Sequence, residues 1–170
     1  MISKGNKMSN DKCSKPVFAG VCEYVYATQD RTEQLEISGR DFGTLLFTDG
    51  TVHTTMHGWS AKDGVFTTHF KGLYRCELNI NVRWHEIGVA YSTIAAINGV
   101  LQGNSQNTWI QYASAGTTAS QNVFLLQLEE NDKVQFYAKA DGDVFLVDKR
   151  SEVYSNRTQQ CASLIISRVT

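Results

Sequence analysis

Two histidines, His53 and His57, stand four residues apart, a spacing that on a helix directs two imidazoles at one metal ion. The residues around them are typical of a strand and a loop, not of a helix. Residues four apart in a strand are separated by about 13 Å, which is too far for both to bind the same ion. We therefore predict exposed hairpin histidines at these positions and no metal site.

An acidic segment near the C-terminal third of the chain contains Asp141, Asp143 and Asp148 around Gly142. Carboxylate oxygens are the ligands that calcium prefers, so these three residues are candidate calcium ligands. The simpler interpretation is an ordinary acidic turn. We predict that the protein has no cofactor, with calcium at this turn as the one alternative.

Three tryptophans, Trp59, Trp84 and Trp109, are candidates for stacking against sugars, because an exposed indole offers a flat apolar face to a pyranose. Tryptophans more often lie in a core or a subunit interface, and we expect each of these three to lie in one of the two.

The cysteines of the chain form no C-x-x-C pair, so we do not expect a zinc site. We expect them to be buried free thiols. The four cysteines are Cys13, Cys22, Cys76 and Cys161.

Motifs of nucleophilic catalysis and phosphate binding are missing from the sequence. There is no G-x-S-x-G elbow, the glycines Gly99 and Gly103 lack the Lys-Ser/Thr of a P-loop, and no dinucleotide fingerprint occurs. Paired carboxylates of a glycosidase come together only in three dimensions, so the sequence does not test that class. We predict that the protein is not an enzyme.

The composition is that of one soluble domain with its own hydrophobic core. The chain has 170 residues, 42% of them hydrophobic, and a net charge of -1. This charge argues against nucleic acid and against insertion into or binding to a membrane. Residues 1–16 are predicted to be a flexible polar tail that serves as a docking segment or is simply disordered, and residues 17–170 the folded domain. The N-terminal residues lack the apolar run of a signal peptide, which fits a protein kept in the cytoplasm or one that leaves without the standard route, for example by lysis. A protein whose signal has been removed would look similar. We expect it at a virion surface or outside the cell.

Alternation of apolar and polar residues predicts an all-β protein. It is clearest from Leu73 to Trp84, where period two runs over ten residues. Residues 27–41, Gly99–Asn107 and Ala115–Gln121 are expected to be irregular. About ten strands separated by turns favour a sandwich or jelly roll. Besides Leu73–Trp84, the predicted strands are Val17–Tyr26, Phe42–Phe47 with Thr51–Thr55 as its hairpin partner, Val65–Thr68, Val89–Ile97, Asn107–Ala113, Asn122–Leu128, Lys133–Lys139, Val144–Val147 and Cys161–Val169.

Two segments resemble landmarks of the tumour necrosis factor and complement globular-head superfamily. Asp63-Gly64-Val65-Phe66 followed by Gly72-Leu73-Tyr74 resembles its G-x-F and G-x-Y signature. Phe124 to Val134 is similar to its Leu-rich strand, acidic turn and returning strand, with Asn131 where the family commonly has glycine. The resemblance covers roughly Val17 to Thr170.

This resemblance implies a ten-stranded jelly roll that assembles as a homotrimer and binds partners without catalysis. It also implies that the first, last and G-x-Y strands are neighbours, which would bring Cys22, Cys76 and Cys161 together. Tyr74, Cys76 and Leu78 would face the core. The trimer axis would be lined by Arg75, Glu77 and Asn79, with Arg75 and Glu77 pairing between subunits; plain exposure to solvent is the alternative for this polar face.

These observations lead to three hypotheses of function. The first is a trimeric structural and attachment protein on a virus or phage particle, such as a fibre knob, spike or decoration protein. It would bind a protein or glycan receptor on the host cell, and a capsid or tail protein through its N-terminal tail. The second is a secreted signalling or recognition ligand, for which Asn156 would be a glycosylation site. The third is a monomeric sugar-binding sandwich. Receptor contact is predicted at the loops Gly99–Asn107 and Ala115–Gln121, through Gln102, Asn104 and Thr117, with Trp109 and Tyr112 close by.

Overall fold

The computed structural model describes residues 24–30, 35–36, 39–45, 47, 52–54, 58–84, 87–112, 116–142, 144–146 and 160–169. These residues form an all-β sandwich, as predicted. The strands are β1 (Tyr24–Asp30), β2 (Leu35–Glu36), β3 (Gly39–Leu45), β4 (Val52–Thr54), β5 (Trp59–Lys62), β6 (Val65–Thr68), β7 (Gly72–Trp84), β8 (Ala90–Ile97), β9 (Val100–Ile110), β10 (Gly116–Leu128), β11 (Lys133–Ala140), β12 (Val144–Leu146) and β13 (Gln160–Arg168).

Two antiparallel sheets make up the sandwich. In sheet A, β7 pairs with β10 along one side and with β13 and β12 along the other, and β13 continues to β1 and β4. Sheet B has the order β5-β6-β11-β8-β9. The first, last and G-x-Y strands are therefore neighbours, as the resemblance implied. The described residues form thirteen strands, of which the short β2 and β12 pair with each other next to β7 in sheet A.

The core lies between the two sheets and is built by the period-two pattern of their strands. Along β7 the residues Tyr74, Cys76 and Leu78 are fully buried, as predicted. A cluster of aromatic rings joins the layers: the Phe136 ring of sheet B lies 6.3 Å from that of Phe124 in sheet A. Burial of this apolar surface is the main force that holds the sheets together.

Two tight turns form where the sequence predicted them. Asp63-Gly64 joins β5 to β6 and Asn98-Gly99 joins β8 to β9, each with both residues at positive φ. Asn and Asp tolerate this conformation better than most residues, and Gly adopts it freely. Asn131 has a φ of 67° in the β10–β11 turn, so it can fill the position where the family commonly has glycine.

The predicted loop at Gly99–Asn107 is wrong, because these residues belong almost entirely to β9. The strand carries a wide bulge: Gln102 pairs with Ala95 and Asn107 with Thr93, so four residues of β9 lie opposite one of β8. The Ser105 hydroxyl replaces backbone hydrogen bonds that the bulge interrupts. It accepts from the Ala95 N–H at 2.8 Å and donates to the Gln102 carbonyl at 2.6 Å. The bulge explains why the local sequence has the composition of a loop.

Asn122 of β10 fixes this bulge to sheet A. Its buried amide donates to the Ser105 carbonyl at 2.7 Å and to the Thr93 hydroxyl at 3.2 Å. These bonds satisfy polar groups that are shielded from water. The bulge is therefore a fixed part of the fold.

We predict that Asn122→Ala lowers the free energy of unfolding by about 1–3 kcal/mol, because buried polar groups lose their partner. Gln121→Ala, the exposed neighbour, should change it by less than about 1 kcal/mol. Urea denaturation at one fixed protein concentration measures both. Equal losses in the two variants would contradict the structural role of Asn122.

Other predicted boundaries are corrected by long-range pairing. The loop predicted at Ala115–Gln121 is strand, since β10 pairs with β7 from Gly116 to Leu128. The irregular segment predicted from residue 27 instead continues β1 to Asp30, which pairs with β13. The partner predicted for Phe42–Phe47 is also wrong, because β4 pairs with β1. Residues 17–23 and the tail at 1–16 lie outside the described residues. Within the described part, no helix is long and apolar enough to cross a membrane.

Candidate functional site

The outer face of sheet A, which points away from the core, carries the residues predicted to line a trimer axis. Arg75 is exposed, and Glu77 and Asn79 are partly buried. Arg75 Nη2 lies 2.9 Å from Glu77 Oε2, and Gln121 Nε2 of β10 donates to the other Glu77 oxygen at 2.8 Å. Asn79 Nδ2 donates to the Ser163 hydroxyl at 3.4 Å. The pair predicted between subunits thus forms within one chain, because residues two apart in a strand share a face.

Apolar side chains flank this polar row. Across the strands, Val123 and Ile165 stand beside Glu77, and Leu125 stands beside Arg75. Val123 and Leu125 are each 47% exposed, and Ile165 is partly buried. The solvated face of an antiparallel sheet is ordinarily polar. The outer face of sheet A therefore departs from the pattern of a sheet that faces only water.

The edge strands β9 and β10 lie beside each other on one side of the sandwich, which we call the flank. They are joined where Asn104 Nδ2 donates to the Leu125 carbonyl at 3.3 Å. On the far side of the bulge from Trp109, Val100 and Leu101 are 65% and 46% exposed. With Val123 and Leu125 they form the apolar half of the flank. Edge strands that expose apolar residues invite contact with another chain.

The other half of the flank contains an open cleft of about 530 Å³ between the end of β9 and the start of β10. The indole of Trp109 stacks on the Tyr91 ring, with centroids 5.2 Å apart and planes inclined by 19°. The Tyr91 hydroxyl pairs with the Ser120 hydroxyl and accepts from Gln111 Nε2 at 3.2 Å. Burial raises the pKa of Tyr91 above its usual value, so its phenol stays neutral at physiological pH.

The structure separates the predicted receptor residues into two groups. Trp109 and Tyr112 line the cleft, and Tyr112 is 78% exposed just after β9. Gln102 and Asn104 lie at the bulge, towards the apolar half of the flank. Thr117 is within β10, and its side chain lies outside the described part. Gln102, Asn104 and Thr117 therefore lie in strands or a strand bulge, and the prediction that they occupy loops is wrong. Trp109 lies in a strand, as predicted, and Tyr112 follows the end of that strand.

Sequence reasoning missed the residues that hold the cleft in shape, Tyr91, Gln111 and Ser120. Tyr91 lies in β8 and Ser120 in β10, so only the sandwich brings them together. The period-two pattern of β8 and β10 could have marked both as inward-facing. It could not have identified them as partners.

The architecture decides the structural class. The order β1-β13-β7-β10 in one sheet and β5-β6-β11-β8-β9 in the other is that of a jelly roll. The crystal structure of murine APRIL, a jelly roll of the tumour necrosis factor family, matches with a TM-score of 0.51, over 86% of this chain and 98% of that one, at 8% identity. The fold is tumour necrosis factor-like. No protein-family model and no curated protein sequence matches the chain.

Within this tumour necrosis factor-like fold, two of the three tryptophans are core residues as predicted. Trp59 and Trp84 are buried, and Trp59 packs edge-on against Tyr74 at 5.1 Å. Trp109 is only partly buried. Stacking against a ligand thus remains a hypothesis for Trp109 alone.

The metal predictions fall largely outside the described residues. Asp141 is exposed, whereas Asp143, Asp148 and His57 lie beyond that part. His53 lies in β4, as a strand residue, and its side chain is outside the described part. Among the residues that the structure describes, no group of three or more His, Cys, Asp or Glu side chains is placed to hold a metal ion. Calcium at the acidic turn stays a prediction.

The predicted cluster of cysteines is wrong for Cys76 and Cys161. The register places Cys76 opposite Ile166, five residues or about 17 Å along β13 from Cys161. Cys22 lies outside the described residues. Cys76 is a buried free thiol, as predicted. Burial alone raises its pKa far above the usual value of 9.0.

Because the Cys76 thiol is buried, we predict that the protein loses stability at alkaline pH. Above about pH 9 the unfolded chain loses the Cys76 proton while the folded chain keeps it, so deprotonation favours unfolding. The free energy of unfolding should fall more steeply with pH in the natural protein than in Cys76→Ala, by up to about 1.4 kcal/mol per pH unit. Urea denaturation of both proteins between pH 8 and 10.5 measures the two slopes. Parallel slopes would contradict the buried thiol.

Proposed function

We propose that the protein is a non-enzymatic homotrimeric binding head, carried as an attachment or decoration protein on a virus or phage particle, where it binds a receptor on the host surface. The observation that carries the proposal is the apolar half of the flank in a tumour necrosis factor-like fold. A lone sandwich would leave Val100, Leu101, Val123 and Leu125 in water.

The outer face of sheet A, on whose β10 edge Val123 and Leu125 also lie, continues as a surface that another copy could cover. Ile165 and Tyr26 lie there in one row across β13 and β1, and both are partly buried. Contact between the flank of one copy and the outer face of the next is heterologous. Such contacts close into a ring when the rotation between neighbouring copies is a whole fraction of a full turn. In a trimer this rotation is one third of a turn.

The polar row gives this contact its register. The pair of Arg75 and Glu77 loses water if the outer face is covered, and the loss offsets most of the attraction between the charges. The bond from Gln121 to Glu77 holds the carboxylate in place. The row therefore acts on specificity more than on affinity.

Display on a particle agrees with the polar N-terminal tail and the absence of catalytic motifs in the sequence. Residues 1–16 would dock into a capsid or tail protein and become ordered there. The described strands place the start of β1 and the end of β13 at the same pole, since Tyr24 pairs with Ser167. The cleft opens towards the opposite pole, away from the particle.

Density-gradient fractionation of a culture that produces the protein tests the proposal, with an antibody against the chain as the probe. We expect the chain to sediment with particles, in a copy number that is a multiple of three. Deletion of residues 1–16 should release it to the soluble fraction. A chain found only in the soluble fraction, glycosylated at Asn156, would overturn display on a particle and favour a secreted ligand.

A further inference from the structure

The cleft on the flank is open to solvent and has the volume of a small-molecule site. Its volume of about 530 Å³ lies within the range of roughly 300–1,000 Å³ that is typical of small-molecule sites. The bulge in β9 separates it from the apolar half of the flank, which the proposed function assigns to contact between copies. The cleft is thus free to serve a different partner.

The chemistry of the lining selects an uncharged ligand that forms many hydrogen bonds. None of the described residues that line the cleft is charged. Hydroxyl groups come from Thr108, Thr118 and Ser120, and amides from Gln111 and Gln121. Thr108 bonds to Ser92, Ser120 and Gln111 bond to Tyr91, and Gln121 bonds to Glu77, so a ligand would use the donors and acceptors that these bonds leave over. Each of these groups both donates and accepts hydrogen bonds, as sugar hydroxyls do. Without a cation the cleft offers no counter-charge to phosphate, sulfate or carboxylate.

Aromatic rings complete this chemistry. Trp109 is partly exposed at the cleft, and Tyr112 is largely exposed beside it. The C–H face of a pyranose packs well against such rings. Trp109 is held by its stack on Tyr91, which in turn is held by Ser120 and Gln111. A site held in place before binding loses less conformational entropy when the ligand arrives.

We propose that this cleft binds neutral glycans, with Trp109 and Tyr112 as stacking surfaces and the surrounding hydroxyls and amides as hydrogen-bonding partners. The proposal rests on the proposed function only in taking the chain to be a binding module, and it names the receptor group as a neutral sugar. Because the described lining is uncharged, we expect neutral glycans to bind better than sialylated or sulfated ones.

A glycan array probed with the full chain tests this proposal, with neutral galactose-, glucose-, N-acetylglucosamine- and fucose-terminated oligosaccharides beside sialylated and sulfated forms of the same chains. We expect binding to a subset of the neutral oligosaccharides and at least tenfold weaker binding to the acidic forms. Absence of binding to any neutral oligosaccharide would overturn the proposal, and so would equal binding to the acidic forms.

Variants then locate the site by calorimetric titration with the neutral oligosaccharide that binds best. Tyr112→Ala should weaken binding about tenfold, since its exposed ring contributes stacking but no core packing. Phe70→Ala, which removes an exposed ring from the opposite pole, should leave binding unchanged. Trp109→Leu should also weaken binding, with urea denaturation as the check on folding. Unchanged affinity in Tyr112→Ala and in folded Trp109→Leu would overturn the assignment.

Light scattering on the same samples separates this proposal from the proposed function. A trimer that sediments with particles yet binds no neutral glycan would overturn the cleft alone. A monomer that binds neutral glycans through Tyr112 would support the cleft and overturn the trimer. A Tyr112→Ala variant that loses its trimer mass would place the cleft between copies and overturn its role as a free glycan site.

Discussion

Leu125→Lys is expected to convert the trimer into monomers, with the solution mass falling from three times 19.0 kDa to 19.0 kDa. Leu125 lies in β10 at the centre of the apolar half of the flank and is 47% exposed in the single chain. Contact with another copy would bury a lysine there at three equivalent positions. Burial of an unpaired charge costs several kcal/mol at each of them.

Ser60→Lys is the matched control for this prediction. Ser60 is exposed in β5, the edge strand of sheet B on the opposite side from the flank, and the substitution adds the same charge. We expect this variant to keep the trimer mass. Dissociation by both variants would show a general effect of charge, and retention of the trimer in Leu125→Lys would place the interface elsewhere.

Phe136→Ala is expected to lower the free energy of unfolding by about 3–5 kcal/mol, a large part of the 5–15 kcal/mol that is typical of a domain. Phe136 is fully buried, and its ring centroid lies 6.2–6.4 Å from those of Phe47, Phe66 and Phe124. Removal of the ring leaves a cavity at the point where the two sheets meet.

Phe70→Ala removes the same side chain from an exposed position and should cost about 0.5 kcal/mol or less. Urea denaturation of both variants must use one protein concentration, because association adds to the apparent stability. A loss of less than 1 kcal/mol in Phe136→Ala would mean that the aromatic cluster does not hold the sheets together.

The features that the sequence predicted well are those set by neighbouring residues. The alternation along β7 predicted one apolar and one polar face, and the resemblance implied that Tyr74 and Cys76 face the core and Arg75 the outside. Asp63-Gly64 and Asn98-Gly99 predicted their turns, because positive φ depends on the residues themselves. The resemblance to the tumour necrosis factor superfamily added the order of strands that these local patterns leave open.

The features that it missed depend on contacts between distant parts of the chain. Gly103, Asn104 and Ser105 have the composition of a loop, and only pairing with β8 and β10 makes them a bulge within a strand. Nothing in the residues around Tyr91 indicates that Ser120 is its partner. The cleft depends on two such contacts between segments that are distant in the sequence. Its lining could therefore be predicted only in part, through Trp109 and Tyr112.

The most direct test of the central claim is the solution mass of the full chain by light scattering across a range of concentrations. We predict three times 19.0 kDa, and three times the mass of the shortened chain when residues 1–16 are removed, because the proposed interface lies within the folded domain. A mass of 19.0 kDa at every concentration would contradict the trimeric head. It would leave the apolar half of the flank exposed and favour a monomeric sugar-binding sandwich.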